Sequence, residues 1–203
     1  VTNGDFSAAG INLVDNPNFT DTGAEEITNG DFTDIGAEEI TNGDFATDTD
    51  WSKATGVTIS GGKAIFNNST ADNNGLYQNS VFQTNTQYKI TADVSNYSSG
   101  NITAWAGSSQ NSNSNESFTG NGTKTWFIST GSTNSYFILS SATTNGNFDI
   151  DNVSVKEIGQ GWAVTNAAVG NIVQFNENGA YLKRTVSSAT EITQTVYDIT
   201  KNY

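Results

Sequence analysis

The chain has 203 residues, with 8 basic and 21 acidic side chains, a formal net charge of −13 and no His, Cys or Met. Without His or Cys it can build no Ser-His-Asp triad, thiol nucleophile, thiolate zinc site or haem ligation. The charge argues against binding to nucleic acid or anionic lipid, because Lys and Arg drive both interactions. We therefore expect no nucleic-acid partner. No apolar run reaches the length of a membrane span, so we also expect no membrane insertion. The missing Met predicts a processed chain or a fragment.

The N-terminal segment, residues 1–45, contains a thirteen-residue repeat marked by regularly spaced phenylalanines within TNGDF, DNPNF, TNGDF and TNGDF: Phe6, Phe19, Phe32 and Phe45. Asn-Gly and Asn-Pro dipeptides between them supply turns. One apolar pair per unit cannot close a core, so the units either stack into a fibre-like shaft or form a partly disordered tether. We expect the last unit to form the first strand of the domain that follows.

The stacked alternative predicts an assembly. Ordering the segment costs about 1–2 kcal/mol per residue in backbone entropy. Burying one Ile and one Phe per unit returns only about 3–6 kcal/mol. Pairing between chains would supply the difference, so the sequence predicts a homotrimer held mainly through residues 1–45.

From Trp51 onward, short apolar runs with alternating polarity predict β-strands. In chain order the predicted strands are 57–59, 63–66, 76–82, 88–94, 102–106, 125–128, 136–139 and 148–155. The longest gap, the Ser/Asn-rich residues 107–116, is predicted to be an exposed loop. No segment has helical periodicity, so we predict an all-β protein built on an antiparallel β-sandwich.

After residue 158 the pattern begins again, and Trp162 corresponds to Trp51. Residues 171–175 correspond to 62–66, and residues 192–194 correspond to 76–78. Half a sandwich would leave open strand edges, so we expect the polypeptide to continue past Tyr203. The predicted organisation is a repeat segment (1–45), a β-sandwich (41–158) and a truncated second sandwich (159–203).

Three motifs carry a family resemblance: Asn42-Gly43-Asp44-Phe45 with a Trp shortly after it, Ser-Gly-Gly-Lys-Ala at 60–64, and Ile-Asp-Asn-Val-Ser-Val-Lys-Glu at 150–157. Together they resemble the carbohydrate-binding-module-like (galactose-binding-like) jelly-roll repeats of phage tail and fibre structural proteins. The resemblance covers residues 41–158 and, as a partial copy, 159–203. It implies a jelly-roll sandwich.

The resemblance also implies a cofactor. In that family the opening and closing motifs often meet around a structural calcium ion, which takes six to eight oxygen ligands. The matching oxygen-bearing positions in this chain are Asn42, Asp44, Asp151 and Asn152.

Aromatic rings are the candidate carbohydrate contacts, because a flat ring can stack on the CH face of a sugar. Trp51 and Trp162 recur at one position in both copies, so we interpret them as core anchors. Trp105 and Trp126 have no counterpart in the second copy, and they are the candidate contacts together with Tyr77. Strand alternation places Trp105 on the face opposite its apolar neighbours, where it either contacts a ligand or packs beneath a loop. Tyr136 is a weaker candidate, as is Tyr77.

An enzymatic reading would have to rely on carboxylates, and glycoside hydrolysis needs two of them across a cleft. The acidic residues well inside the first sandwich are Asp93, Glu116, Asp149 and Asp151. No aromatic-rich cleft pattern surrounds them, so we predict that this segment is not an enzyme.

Two functions therefore stay open. The first is a virion structural protein, a tail or head fibre or decoration at the virion surface, whose partners are its own copies, other virion proteins and host surface glycans. The second is a secreted bacterial adhesin or polysaccharide-binding module that is not viral. The thirteen-residue repeat favours the first, because fibre shafts are built from short stacked repeats.

Overall fold

The computed structural model describes residues 27, 29–31, 34–69, 75–107, 114–131, 135–141, 145–165, 172–176, 179–183 and 191–193. The first two repeat units, with Phe6 and Phe19, lie outside this part of the chain, as does Phe32. Over the described residues the chain forms β-strands and no helix. Accordingly, no helix in these ranges is long and apolar enough to cross a membrane.

The strands are β1 (Ile35–Glu38), β2 (Ser52–Lys53), β3 (Val57–Ile59), β4 (Ala64–Ser69), β5 (Leu76–Gln78), β6 (Gln87–Ser99), β7 (Ile102–Gly107), β8 (Ser114–Phe118), β9 (Gly122–Ser129), β10 (Tyr136–Ser141), β11 (Gly146–Ile158), β12 (Ala163–Thr165), β13 (Ile172–Asn176), β14 (Gly179–Lys183) and β15 (Glu191–Thr193). A six-stranded sheet has the order β3-β4-β11-β6-β9, with β1 also paired to β11. A five-stranded sheet has the order β2-β5-β10-β7-β8. All these pairs are antiparallel, which confirms the predicted all-β sandwich.

Strand alternation builds the core between the two sheets. In β6 the residues Tyr88, Ile90, Ala92 and Val94 are buried, and the residues between them face away from the core. Large aromatic side chains fill the centre, with Phe66 and Phe148 stacked at 4.5 Å between ring centroids. Trp51 is 6% exposed and its ring lies 5.3 Å from that of Phe45. The interpretation of Trp51 as a core anchor is confirmed.

One predicted loop is partly a strand. The gap at 107–116 was expected to be exposed loop, but β8 begins at Ser114 and pairs with β7, with Phe118 opposite Ile102. The polar sequence Ser-Asn-Glu-Ser gives no apolar alternation, so the loop prediction was wrong for residues 114–116. Pairing with a central strand, and the packing of Phe118 against the core, order this edge strand instead.

The last repeat unit is a turn and not the first strand of the sandwich, which corrects that expectation. Asn42 has a φ of 50°, in the left-handed region that Asn tolerates better than most residues. The strand lies just before the turn, because β1 consists of Ile35 and the Gly-Ala-Glu part of the repeat that follows it. The six-stranded sheet therefore includes residues upstream of the predicted boundary at 41.

The opening and closing motifs meet in space. The Val153 N–H donates a 2.9 Å hydrogen bond to the Gly43 carbonyl oxygen. A bulge in β11 between Asp151 and Ser154, with Asn152 at a φ of 49°, directs this N–H toward the turn. A Cβ on Gly43 would lie 2.2 Å from the Val153 carbonyl oxygen, so the approach requires glycine.

The C-terminal segment pairs in part as the first sandwich does. β12 follows Trp162 and pairs with β15, as β2 follows Trp51 and pairs with β5. β13 and β14 form a separate two-stranded sheet. Ile158, at the end of β11, forms a second apolar cluster with Phe127, Trp162, Ala180 and Ile192.

Candidate functional site

An aromatic group lies on the outer face of the five-stranded sheet. In the register of three neighbouring strands, Ile138 of β10 is opposite Tyr77 of β5 on one side and Trp105 of β7 on the other. The next residue of β10, Leu139, is opposite Leu76 and Ala104, which are buried in the core. Since side chains alternate along strands, the first three residues project from the opposite, outer face.

Tyr136 extends this group, because it lies two residues before Ile138 in β10. Its ring centroid lies 6.4 Å from that of Tyr77, with the ring planes tilted by 43°. The three aromatic side chains are partly exposed, whereas Ile138 is 3% exposed and lies outside the main core cluster. Ile138 is therefore covered from the outer side, and the rings of Tyr77, Tyr136 and Trp105 form what we call the aromatic face.

Hydroxyl groups fix one end of the aromatic face. The indole N–H of Trp105 donates a 2.8 Å hydrogen bond to Ser140 Oγ, which holds the ring in one orientation. Ser140 is opposite Thr103 in the register, and the Thr103 hydroxyl lies 3.0 Å from that of Ser117. Ser140 and Thr103 are buried, so the rings and not these hydroxyls are the accessible part.

The structure brings together two of the three predicted contact residues, Trp105 and Tyr77. It contradicts the third. Trp126 is 1% exposed and packs edge-to-face on Phe118 at 5.3 Å, because its position in β9 faces the core. It cannot contact a ligand at the surface.

Sequence reasoning ranked Tyr136 low and missed Ile138. The signal for both was present in the sequence, since Tyr136 and Ile138 alternate with Phe137 and Leu139 along one strand. What the sequence did not contain was the register that places β10 between β5 and β7.

The residues matched to a calcium site make separate contacts. The Asn42 amide donates to the carbonyl oxygens of Thr47 and Thr49, and Asp44 Oδ1 accepts from the N–H of Ala46. Asp151 Oδ1 accepts from the N–H of Asn152, whose amide donates to Asp93 Oδ2.

Among the residues that the structure describes, no three acidic side chains are grouped in a way that could hold a metal ion. The four matched residues supply two carboxylates and two amides, fewer side-chain oxygens of the acidic kind than such a group would need, although their two motifs touch. Calcium binding stays a prediction of the resemblance.

The carboxylate of Asp93 is held in its charged form. Hydrogen bonds from Thr123 Oγ1 at 2.5 Å and from Asn152 Nδ2 at 3.0 Å lower the pKa of Asp93 below its ordinary value. A general acid in glycoside hydrolysis needs a raised pKa, which Asp93 does not have. The prediction that this segment is not an enzyme stays a prediction.

These features define an antiparallel β-sandwich that presents an aromatic face on one sheet. No protein-family model matches the chain. No curated protein matches it either.

Among solved structures, the chain is similar to the N-terminal CBM22-1–CBM22-2 tandem domain of Xyn10C from Paenibacillus barcinonensis. The sequence identity is 12% and the TM-score is 0.44, over 74% of this chain and 60% of that one. The chain thus spans less than two thirds of that structure. At this score the likeness carries no argument about fold or function, which rest on the residues described above.

Proposed function

We propose that the sandwich binds carbohydrate through the aromatic face of its five-stranded sheet. The observation that carries the proposal is the arrangement of Tyr77, Tyr136 and Trp105 as partly exposed rings around a covered Ile138 on the outer side of the sheet. Aromatic rings combine a large apolar surface with a polar edge, which suits a ligand that presents both CH and OH groups.

The geometry also indicates the mode of binding. The hydrogen bond to Ser140 fixes the Trp105 indole before any ligand arrives, so little side-chain entropy is lost on binding. The aromatic face lies on three adjacent strands and not on a loop, so it presents a rigid surface. We expect it to contact saccharide units of an extended glycan, with affinity gained from several rings.

A glycan array followed by titration calorimetry tests the proposal. Trp105→Ala and Tyr77→Ala should each weaken binding about tenfold or more, which corresponds to about 1.4 kcal/mol. Tyr136→Phe keeps the ring and should retain most of the affinity. Lys124→Gln on the other sheet is the matched control. Undiminished binding by a folded Trp105→Ala/Tyr77→Ala double variant would overturn the proposal.

The setting we propose for this activity is the surface of a virion fibre or decoration, with host glycans as ligands. It is supported by the thirteen-residue repeat and by the family resemblance of the opening and closing motifs. Mass spectrometry of purified virions against culture supernatant distinguishes it from a secreted bacterial adhesin. Detection only in the supernatant would favour the adhesin.

We also propose a homotrimer, and its test needs a deletion that leaves the sandwich intact. β1 and the buried Phe45 belong to the sandwich, so removing residues 1–45 would damage the fold. Removing residues 1–26 is the cleaner test. Sedimentation should show a trimer for the intact chain and a monomer for the shortened one; two monomers at micromolar concentration would exclude the trimer.

A further inference from the structure

We propose that a second site, on the six-stranded sheet, binds the oxyanion group of an acidic saccharide, a carboxylate or a sulfate ester. A groove of about 320 Å³ lies there between β1 and the outer face of β6 and β11. It is lined by Ile35, Gly36, Lys89, Thr91, Ser154 and Lys156. This groove, called the lysine groove below, lies on the opposite sheet from the aromatic face.

The two lysines of the groove differ from the other lysines before residue 160. Lys53 pairs with Asp48, and Lys63 lies 4.0 Å from Asp149 and donates to Ser95. Lys124 donates to two backbone carbonyl oxygens, those of Thr119 and Asn121. Within the described part of the chain, the side chains of Lys89 and Lys156 take part in neither an ion pair nor a hydrogen bond.

Lys89 and Lys156 are also directly opposite each other in the register of β6 and β11. Like charges at opposite positions of an antiparallel pair repel and destabilise the sheet. The chain has 21 acidic residues against 8 basic ones, yet it places two lysines at opposite positions in one groove. A bound anion would remove this repulsion, because it can accept hydrogen bonds from both ammonium groups.

One carboxylate, that of Glu38, lies beside the lysine groove, and it does not cancel the charge of the two lysines. Glu38 is opposite Lys156 in the register of β1 and β11. Its two oxygens accept from Ser154 Oγ and from the Val155 N–H of β11, each at 2.6 Å, so this carboxylate is hydrogen-bonded to β11 and not to either lysine. Two ammonium groups therefore face one occupied carboxylate, which favours an anionic ligand.

The other walls indicate a ligand larger than a free ion. Ile35 is 54% exposed and supplies an apolar side, while Thr91 supplies a hydroxyl. An oxyanion attached to a sugar ring would place its charge between the lysines and its CH groups near Ile35. Lys acts as a compact point charge without the planar fork of Arg, so a carboxylate and a sulfate ester are both suitable.

The test titrates the full chain with sodium glucuronate, glucose 6-sulfate, sodium sulfate and neutral glucose, each at matched ionic strength because salt screens such contacts. Backbone amide NMR reads the response at the groove. Glucuronate or glucose 6-sulfate should shift the amides of Lys89, Thr91 and Lys156, and glucose should not. The Lys89→Gln/Lys156→Gln variant should weaken the response about tenfold.

Lys124→Gln makes the same charge change in a neighbouring strand and should leave the response intact. Equal responses in the groove variant and the wild type would overturn the proposal, as would shifts that sodium chloride reproduces. Binding of free sulfate without either charged sugar would overturn the assignment to a saccharide. Trp105→Ala should not alter the groove response, so this proposal and the one for the aromatic face can fail separately.

Discussion

The pentapeptide Thr-Asn-Gly-Asp-Phe occurs at residues 2–6, 28–32 and 41–45, and the structure describes the Asn of the last two copies. Its Asn has the same backbone conformation in both copies, with φ values of 51° at Asn29 and 50° at Asn42. The Asn Oδ1 accepts from the N–H five residues later, at 3.0 Å for Asn29 and 3.3 Å for Asn42. In both, the Asn carbonyl oxygen accepts the indole N–H of a Trp, at 3.0 Å from Trp162 and 2.9 Å from Trp51.

The two copies differ in where the Trp comes from. Trp51 follows Asn42 by 9 residues, whereas Trp162 follows Asn29 by 133 residues, after the whole first sandwich. The Asn29 amide also donates to the carbonyl oxygen of Gln160, two residues before Trp162 in the chain. The turn at Asn29 thus contacts the C-terminal segment. In that segment the residues before Trp162 are Gly-Gln-Gly, and no TNGDF precedes them directly.

The comparison separates what the pentapeptide specifies from what its surroundings add. Both described copies of the pentapeptide form the same turn, and in both the Asn carbonyl oxygen accepts an indole N–H. Burial depends on a second partner, the bulge at Val153, which only the turn at 41–45 contacts in the described residues. A repeat in a sequence can therefore mark equivalent turns that belong to different domains.

The largest expected difference concerns the two tryptophans. Trp51→Ala should lower the free energy of unfolding by about 3–5 kcal/mol, because a buried ring and its hydrogen bond are lost. Trp162 is half-buried, so Trp162→Ala should cost about 1–2 kcal/mol. Urea denaturation followed by circular dichroism measures both. Equal losses would show that the two turns support equally buried cores.

The glycines of the two turns give the next largest contrast. Gly43→Ala should cost about 2 kcal/mol or more, because the new Cβ would overlap the Val153 carbonyl oxygen. At Gly30 the nearest described atom to such a Cβ is Ile27 Cγ2 at 3.4 Å, an ordinary contact. Gly30→Ala is the matched control and should change stability by less than about 0.5 kcal/mol. A tolerated Gly43→Ala would contradict the close approach of the two motifs.

A smaller contrast is expected at the asparagines. Alanine at either position meets the same cost of a left-handed backbone, so the difference between variants reports the side-chain hydrogen bonds. Among the described residues, Asn42 makes three of them, to Thr47 and Thr49, and Asn29 makes two, to Asp34 and Gln160. Asn42→Ala should cost about 1 kcal/mol more than Asn29→Ala. A larger loss at Asn29 would contradict this prediction and show that the side-chain hydrogen bonds of Asn29 stabilise the fold more than those of Asn42.

Patterns of neighbouring residues in the sequence predicted the strands and part of the core. The features that depend on which strands pair, and in what register, could not be predicted in this way. The alternation of Tyr136 to Leu139 followed from strand periodicity, and the buried position of Trp51 followed from its recurrence in both copies. The inward orientation of Trp126 did not, because the next residue, Phe127, is also apolar and alternation alone does not decide which of the two faces the core. The lysine groove likewise needed the register of β6 with β11, since Lys89 and Lys156 are far apart in the sequence.

The smallest expected effect tests the repulsion between Glu157 of β11 and Glu39, which lies just before the TNGDF at 41–45. Partial burial, followed by repulsion from Glu39, raises the pKa of Glu157 above its ordinary value, while a hydrogen bond from Gln160 opposes the shift. The folded state therefore holds this proton more tightly than the unfolded state does, and stability falls as pH rises from about 4.5 through the raised pKa. Glu157→Gln should match the wild type at pH 3.5, where the carboxyl is neutral, and be slightly more stable at pH 7. Urea denaturation at the two pH values measures the difference, with Glu39→Gln as the partial counterpart that removes only the repulsion. If Glu157→Gln gains nothing between pH 3.5 and pH 7, the carboxylate is solvated and β1 does not bring Glu39 close enough to affect it.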